Sequence, residues 1–154
     1  MARVRAVRYG SKSVQAQVDA AKEAIRKSVK DDIIALALNI HARLVDAPPG
    51  GTPIDTSWAS ANWWISVGRT STGNDGSKGD LASVEARQYE GVNNILSYKP
   101  SDGVIFISNH TPYIERLNNG WSQQSPAGFV DRAVNIELTR FTHSTNYRAI
   151  DNDD

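Results

Sequence analysis

One long helical repeat dominates the first third of the sequence. From Ser13 to about Asp46, apolar side chains recur at steps of three and four residues, which places them on one helix face: Val14, Val18, Ala21, Ile25, Val29, Ile33, Leu36, Ile40 and Leu44. Ser13 is suited to cap the start of this helix, and the run of two prolines and two glycines at 48–51 ends it.

The apolar face of this helix becomes wider after Asp32, where Ile34, Ala35, Ala37 and Leu38 join it. We therefore expect the second half to be buried on more than one side and the first half to project. A projecting apolar face has to be covered, and in a domain this small a neighbouring subunit is a reasonable candidate.

Shorter elements follow the long helix. The patterns predict a helical turn at 57–62 capped by Asp55 or Thr56, a strand at 63–68, a polar loop at 69–80, a helix at 81–98 capped by Asp80, a strand at 104–108, a turn at 113–118, and a final helix capped by Ser125 with Pro126 at its first position. The strand at 104–108 is apolar on both faces, which predicts a central place in the sheet. The final helix is expected to fray around residues 143–146.

These elements predict a single α+β domain over residues 13–145, with a small, mainly antiparallel sheet and packed helices. A basic arm at 1–12 precedes this domain, and an acidic polar tail at 146–154 follows it. A chain of 154 residues is long enough for one such domain with its own core.

Charge and composition exclude several classes of protein. The 17 basic and 17 acidic residues balance, which argues against a protein whose main task is to hold nucleic acid. There is no cysteine, so disulfides and thiolate metal sites are excluded. The sequence has no apolar run of about 18 residues and no signal-peptide core, so we expect a soluble, unsecreted protein without a membrane partner.

No pattern of catalytic or cofactor-binding residues stands out. The histidines lie on three different predicted elements: His41, His110 and His143. The loop at 69–80 lacks the spacing of a phosphate-binding or calcium-binding loop. We therefore predict no catalytic residue, no metal site and no cofactor. Two alternatives remain: a metal-dependent nucleic-acid-processing enzyme using Asp55, Glu85 and Glu90, and a single-stranded nucleic-acid binder that stacks bases on its tryptophans.

Residues 109–130, here called the aromatic segment, form the most unusual stretch. Large side chains alternate there with residues that fix the backbone: Gly120, Pro126 and Gly128. This composition predicts a rigid, shaped surface rather than a reaction centre. Within it, Tyr113 and Trp121 are expected to anchor either the fold or a subunit interface.

Two stretches together resemble a neck and tail-completion (head–tail joining) family of long-tailed, double-stranded DNA bacteriophages. The first, similar to "T-P-V-D-T-G … A-N-W", contains Thr52, Pro53, Ile54, Asp55, Thr56, Ala61, Asn62 and Trp63. The second, similar to "Y-I-x-N-x-x-P-Y-x-x-x-L-E-Y-G-x-S-x-Q-A-P-x-G", contains the strand at 104–108 and then Asn109, Pro112, Tyr113, Ile114, Leu117, Gly120, Trp121, Ser122, Gln124, Pro126, Ala127 and Gly128.

Three positions depart from the family pattern. Ser57 stands where a glycine is usual, Asn118 and Asn119 replace Glu-Tyr, and Ser125 replaces alanine. If the first position has the positive φ that glycine accepts, serine there costs about 1 kcal/mol. The second departure removes a charge that could have paired across an interface.

The resemblance implies a structural virion protein that forms a ring, a homohexamer, at the junction of head and tail. DNA would pass through its lumen without sequence-specific binding, and adjacent neck and tail proteins would be its other partners. Such a protein is assembled in the host cytoplasm and remains in the virion. The alternative within this class is a tail terminator that caps the tail tube. Candidate subunit-interface residues are Val14, Val18, Ile25, Tyr113 and Trp121.

Overall fold

The computed structural model describes residues 13–71 and 81–150. The predicted basic arm at 1–12, most of the loop at 69–80, the predicted cap Asp80 and the last four residues lie outside this part of the chain.

The fold belongs to the predicted α+β class, with one long N-terminal helix, a small antiparallel sheet and several packed helices. In chain order the elements are α1 (Val14–Val45), α2 (Trp58–Ala61), β1 (Trp63–Val67), α3 (Leu81–Leu96), a 3₁₀ turn (Pro100–Asp102), β2 (Ile105–Asn109), α4 (Ile114–Asn118) and α5 (Phe129–Ile150).

Helix α1 confirms the long repeat. The Ser13 hydroxyl accepts a hydrogen bond from the backbone N–H of Ala16 at 3.2 Å, so the predicted cap is present. With 32 residues, α1 is about 48 Å long. Residues 13–29 are exposed, whereas the buried residues of α1 all lie in its second half: Ala37, His41 and Leu44. The first half therefore projects, as expected.

Among the described residues the sheet has two antiparallel strands, with Trp63 opposite Asn109 and Ile65 opposite Ile107. The predicted central position of β2 is wrong, because in a two-stranded sheet each strand lies at an edge. The side chains of β2 are all half-buried. A continuous apolar run shows that both faces of a strand are partly covered, but it does not show that strands flank it on both sides.

Two clusters of buried residues form the core where α1 meets the sheet. One joins α1, β1 and α5 through Leu44, Trp63, Phe129 and Ala133. The other joins α1, β1 and α3 through Ala37, Ile65 and Ile95. The second half of α1 contributes to both clusters, which explains why its apolar face is wider there.

Two polar side chains, those of Thr52 and His41, lie inside this core. The buried Thr52 hydroxyl accepts a hydrogen bond from Trp63 Nε1 at 2.7 Å and donates one to the Leu44 carbonyl. Burial lowers the pKa of His41, and a hydrogen bond to the backbone of Trp63 acts in the opposite direction. The imidazole is therefore neutral near pH 7, as a buried ring beside Ile65 and Gly91 requires.

A buried ion pair also joins α1 to α5. Glu137 is only 4% exposed, and its Oε1 lies 2.6 Å from Arg43 Nη2 and 2.8 Å from Arg43 Nε. Arg140, one turn further along α5, approaches the same oxygen at 3.2 Å. The two helices are thus held by a charge contact as well as by apolar packing.

The predicted start of the last helix is wrong. Helix α5 begins at Phe129, not at Ser125 and Pro126. The Ser125 hydroxyl is buried and donates to the Gly51 carbonyl at 2.7 Å, so it is not free to cap a helix. The first turn is capped from α4 instead, because Asn118 Oδ1 accepts from the backbone N–H of Val130 at 3.0 Å.

The predicted end of this helix is also wrong. Helix α5 does not fray at residues 143–146 but continues to Ile150, so residues 146–150 of the predicted polar tail are helical. No glycine or proline occurs between Phe129 and Ile150, and Arg148 and Ala149 are strong helix formers. A loss of apolar periodicity alone did not mark a helix end here.

Candidate functional site

The two motif stretches, which are far apart in the sequence, meet at one groove of about 270 Å³. We call it the Trp121 groove. Its walls come from residues 53–59 and from residues 113–124: Pro53, Ile54, Asp55, Thr56, Ser57, Trp58, Ala59, Tyr113, Arg116, Leu117, Trp121, Ser122 and Gln124. Nine of the residues that carry the family resemblance line this groove: Pro53, Ile54, Asp55, Thr56, Tyr113, Leu117, Trp121, Ser122 and Gln124.

Hydrogen bonds hold the two motif stretches together. The side chain of Gln124 accepts from the backbone N–H of Ile54 at 2.7 Å. Asn109 Nδ2 donates to the Ala59 carbonyl, also at 2.7 Å, and its Oδ1 accepts from the backbone and hydroxyl of Thr111. Each motif amide thus links one stretch to the other or fixes a turn, which explains why these positions need amide side chains.

Aromatic rings form one wall of the groove. The rings of Trp58 and Tyr113 lie 5.4 Å apart between centroids and are tilted by 60°, a favourable arrangement for an aromatic pair. Burial raises the pKa of the Tyr113 phenol, and the Asp55 carboxylate raises it further, against hydrogen bonds with the Thr56 side chain and the Ala59 backbone that lower it. Tyr113 is therefore a neutral wall residue, not an activated phenolate.

Trp121 stands at the rim of the groove and is 75% exposed. The guanidinium carbon of Arg116 lies 5.2 Å from the centre of its ring, which is within the range of a cation–π contact. A large aromatic side chain in this position does not stabilise the core. Of the two roles predicted for Trp121, that of an anchor of the fold is not compatible with this exposure, and a role at a subunit interface stays a prediction.

The turn at Gly120 determines where Trp121 is placed. The N–H of Gly120 bonds to the Leu117 carbonyl and the N–H of Trp121 to the Arg116 carbonyl, the two bonds of a Schellman motif at a helix C-terminus. Gly120 has φ +88°, and a Cβ there would lie 3.0 Å from the Ala127 side chain. The predicted end of the helical turn near Gly120 is confirmed.

The turn at Ser57 differs from the sequence prediction in one respect and agrees in another. Neither Asp55 nor Thr56 caps α2; Ser57 is the capping residue, and it makes no side-chain cap hydrogen bond. Ser57 has φ +60° and ψ +3°, so the position where the phage family has glycine does adopt the left-handed conformation. Asp55 and Thr56 line the groove instead.

Replacing Ser57 by glycine is expected to raise the free energy of unfolding by about 0.5–1 kcal/mol. Glycine removes the cost of the left-handed conformation, which raises the free energy of unfolding by about 1–2 kcal/mol. Glycine also makes the unfolded chain more flexible, which lowers the free energy of unfolding by about 0.4–1 kcal/mol. Urea unfolding measures the difference. Ala59→Gly, in the helical part of the same turn, is the control and should have the opposite sign. A lower free energy of unfolding for Ser57→Gly would contradict the claim that the backbone at Ser57 is strained.

The remaining motif residues have different places in the structure. Ala61, Asn62 and Trp63 are buried, and Asn62 Nδ2 closes α2 by donating to the Trp58 carbonyl at 2.8 Å. Ser122 and Leu117 line the groove, and Gly128 precedes α5 with φ +73°. Pro112 is exposed and Pro126 half-buried.

The other predicted interface residues lie on α1. Val14 and Ile25 are 77% and 63% exposed, and Val18 and Val29 on the same helix face are also exposed. We call this stripe the α1 ridge. None of these side chains lines the Trp121 groove of the same chain. The structure thus has two separate exposed apolar surfaces, one convex and one concave.

Two residues of the site were not found from the sequence. Arg116 was not singled out, because its contact with Trp121 depends on the Schellman turn rather than on helical spacing. Asn118 was noted only as a departure from the family pattern, yet it caps α5. A glycine two residues beyond a short helical turn was the one signal that could have placed Arg116 beside Trp121.

The enzymatic and nucleic-acid alternatives find little support in the geometry. In the part of the chain that the structure describes, no group of three or more His, Asp or Glu side chains could hold a metal ion. Asp55 lines the groove, while Glu85 and Glu90 lie on α3. Of the four tryptophans, only Trp121 is exposed; Trp63 is buried, and Trp58 and Trp64 are half-buried. The tryptophans thus do not form a shared stacking surface.

Helices within residues 13–71 and 81–150 are either too short or too polar to cross a membrane. Comparisons with protein-family models, with curated proteins and with solved structures found no match for this chain.

Proposed function

We propose that this chain is a structural protein of a tailed bacteriophage and that identical copies of it form a ring at the head–tail junction, through which the genomic DNA passes. The observation that carries the proposal is the convergence of both motif stretches on one groove with an exposed tryptophan at its rim. Motif residues that shape a surface, rather than a reaction centre, suit a protein that acts by binding other subunits.

The two exposed apolar surfaces support assembly into a ring. In a ring each subunit uses two different patches, one for each neighbour. The α1 ridge and the Trp121 groove are two such patches on one chain. The groove also has the composition of an interface hot spot, since tryptophan, tyrosine and arginine side chains lie together in it.

The charge balance is compatible with DNA passing through the ring. Every firm phosphate contact by a lysine or arginine adds about one unit to the salt dependence of binding, and many such contacts would hold the DNA in place. A chain with 17 basic and 17 acidic residues has no net attraction for the duplex. This balance is compatible with DNA sliding through the lumen, as a channel requires.

The chemistry of the groove supports a binding role over a catalytic one. Among its described lining residues there is a single carboxylate, Asp55, and no histidine. General acid–base or nucleophilic catalysis uses at least two cooperating groups within hydrogen-bond reach. The other lining residues present aromatic rings, aliphatic side chains, a cation–π pair, and the hydroxyl and amide groups of Thr56, Ser57, Ser122 and Gln124.

Electron cryo-microscopy of the virus particle that contains this chain tests the proposal. We expect six copies in a ring between the DNA exit of the head and the first ring of the tail tube. A ring at the end of the tail tube itself would instead identify a tail terminator. Absence of the chain from purified particles, or a metal-dependent nuclease activity that Asp55→Ala abolishes, would refute the proposal.

A further inference from the structure

Within residues 13–71 and 81–150, the α1 ridge is not covered by other parts of the chain. Val14, Val18, Ile25 and Val29 lie within a narrow arc of the helix face, because successive residues are rotated by about 100°, and all four are exposed. They occupy the half of α1 that projects beyond the core clusters. Apolar side chains aligned over four turns of a projecting helix indicate a surface that another protein covers.

The Trp121 groove has the size and lining to receive such side chains. Its volume of about 270 Å³ is slightly below the range of about 300–1,000 Å³ for pockets that bind small molecules. It is a good match for a few aliphatic side chains. Pro53, Ile54, Trp58 and Leu117 supply apolar contacts, and the exposed Trp121 ring adds apolar surface at the rim.

Basic residues border the α1 ridge, and the Trp121 groove is lined by one carboxylate, Asp55, and one guanidinium, Arg116. Lys22 and Arg26 are one turn apart and border the α1 ridge on the same side. Their only ion pairs among the described residues are to Asp19 at 4.0 Å and Glu23 at 3.7 Å, both well exposed, and pairs of this kind contribute little. Asp55 is the one acidic residue that lines the groove, and it is exposed.

We infer that the α1 ridge of one copy inserts into the Trp121 groove of the next copy, with Lys22 and Arg26 facing the neighbour's Asp55. This inference rests on the proposed ring, and it names the contact that closes the ring. Because the ridge and the groove are different surfaces, each added copy uses one of them and leaves the other free for the next copy, so the contact can repeat around a ring. A ridge paired with a second ridge would stop at a dimer.

Cross-linking between introduced cysteines tests the contact, since the natural chain has no cysteine that could react. Three single variants are made: Val18→Cys on the ridge, Ile54→Cys in the groove, and Lys27→Cys, which is exposed on the opposite face of α1. Differently tagged variants are mixed at high protein concentration and treated with a short bis-maleimide. Mass spectrometry then identifies which two chains are joined.

We expect V18C and I54C to join at a rate roughly tenfold or more above K27C and I54C, because a formed contact holds two thiols at a high effective concentration. Equal rates in the two mixtures would overturn the inference. Preferential joining of V18C to V18C would also overturn it and would indicate a ridge-to-ridge dimer. Adding Asp55→Arg to the I54C chain should slow its joining to V18C, and Lys22→Glu on the V18C chain should restore it.

The result can be separated from the test of the proposed function. If the chain forms a ring in the virus particle but V18C and I54C join no faster than the control pair, the ring uses other surfaces and only the inference fails. If the two thiols join selectively but purified particles lack the chain, the contact exists and the proposed role at the head–tail junction fails.

Discussion

Replacing Glu137 by alanine is expected to lower the free energy of unfolding by about 3 kcal/mol. Glu137 is 4% exposed and holds Arg43 of α1 through two short contacts. Breaking a buried ion pair costs about 3–5 kcal/mol, because the remaining charge is left buried without a partner. We expect a value near the lower end, since the Arg43 side chain is 24% exposed and regains some water. Urea unfolding at neutral pH measures the loss.

Arg140 provides the control for this prediction. It approaches the same carboxylate oxygen at 3.2 Å, but its side chain is 68% exposed. Exposed pairs contribute about 0.2–1 kcal/mol, so Arg140→Ala should lose no more than this. A double variant with Arg43→Met and Glu137→Leu removes both buried charges and should recover most of the stability. Equal losses for Glu137→Ala and Arg140→Ala would show that burial is not the cause.

The elements with a strong local period were predictable from the sequence. The cap at Ser13, the length of α1 and the exposure of its first half all follow from the spacing of apolar residues and one capping hydroxyl. The strand at 63–67 and the short helix before Gly120 follow from similarly local signals. In each case the residues that determine the element lie within the element or at its ends.

Features that depend on distant partners were not predictable in this way. Nothing around Glu137 indicates that its partner Arg43 lies 94 residues away. The hydroxyl of Ser125 had the position and chemistry of a helix cap, but it bonds to Gly51 instead. The place of β2 in the sheet likewise depends on how many strands the whole chain supplies. Local patterns determine what a segment can form, and tertiary contacts determine which of its groups remain free.

The candidate site was predicted in part. Both motif stretches were identified, and the aromatic segment was expected to be a rigid surface. Composition did not show that the two stretches share one groove. It also did not show that Trp121 stands exposed at the rim of this groove while Trp63 is buried. Both are tryptophans near sharp turns. They differ because Trp63 starts a strand that packs on α1, whereas Trp121 follows a Schellman turn that directs it outward.

The contrast between these two tryptophans gives the second prediction. Trp121→Ala should leave folding almost unchanged, with a loss below about 1 kcal/mol, because the ring makes one exposed cation–π contact with Arg116. Its assembly should be severely weakened. Truncation of an interface hot spot costs about 2 kcal/mol or more, which corresponds to roughly a thirtyfold loss of affinity per contact.

Competition during assembly measures this loss. The Trp121→Ala chain and the natural chain are expressed together, and mass spectrometry of purified particles gives their ratio in the virion. We expect the variant to be strongly depleted there although it unfolds in urea at nearly the same midpoint as the natural chain. Trp63→Ala is the matched control and should lose about 3–5 kcal/mol of stability, since Trp63 is buried in the core. Equal incorporation of a folded Trp121→Ala chain would show that the groove is not the surface through which copies associate. Every subunit of a closed ring makes the same contacts with its neighbours, so a variant with a defective contact surface would be depleted.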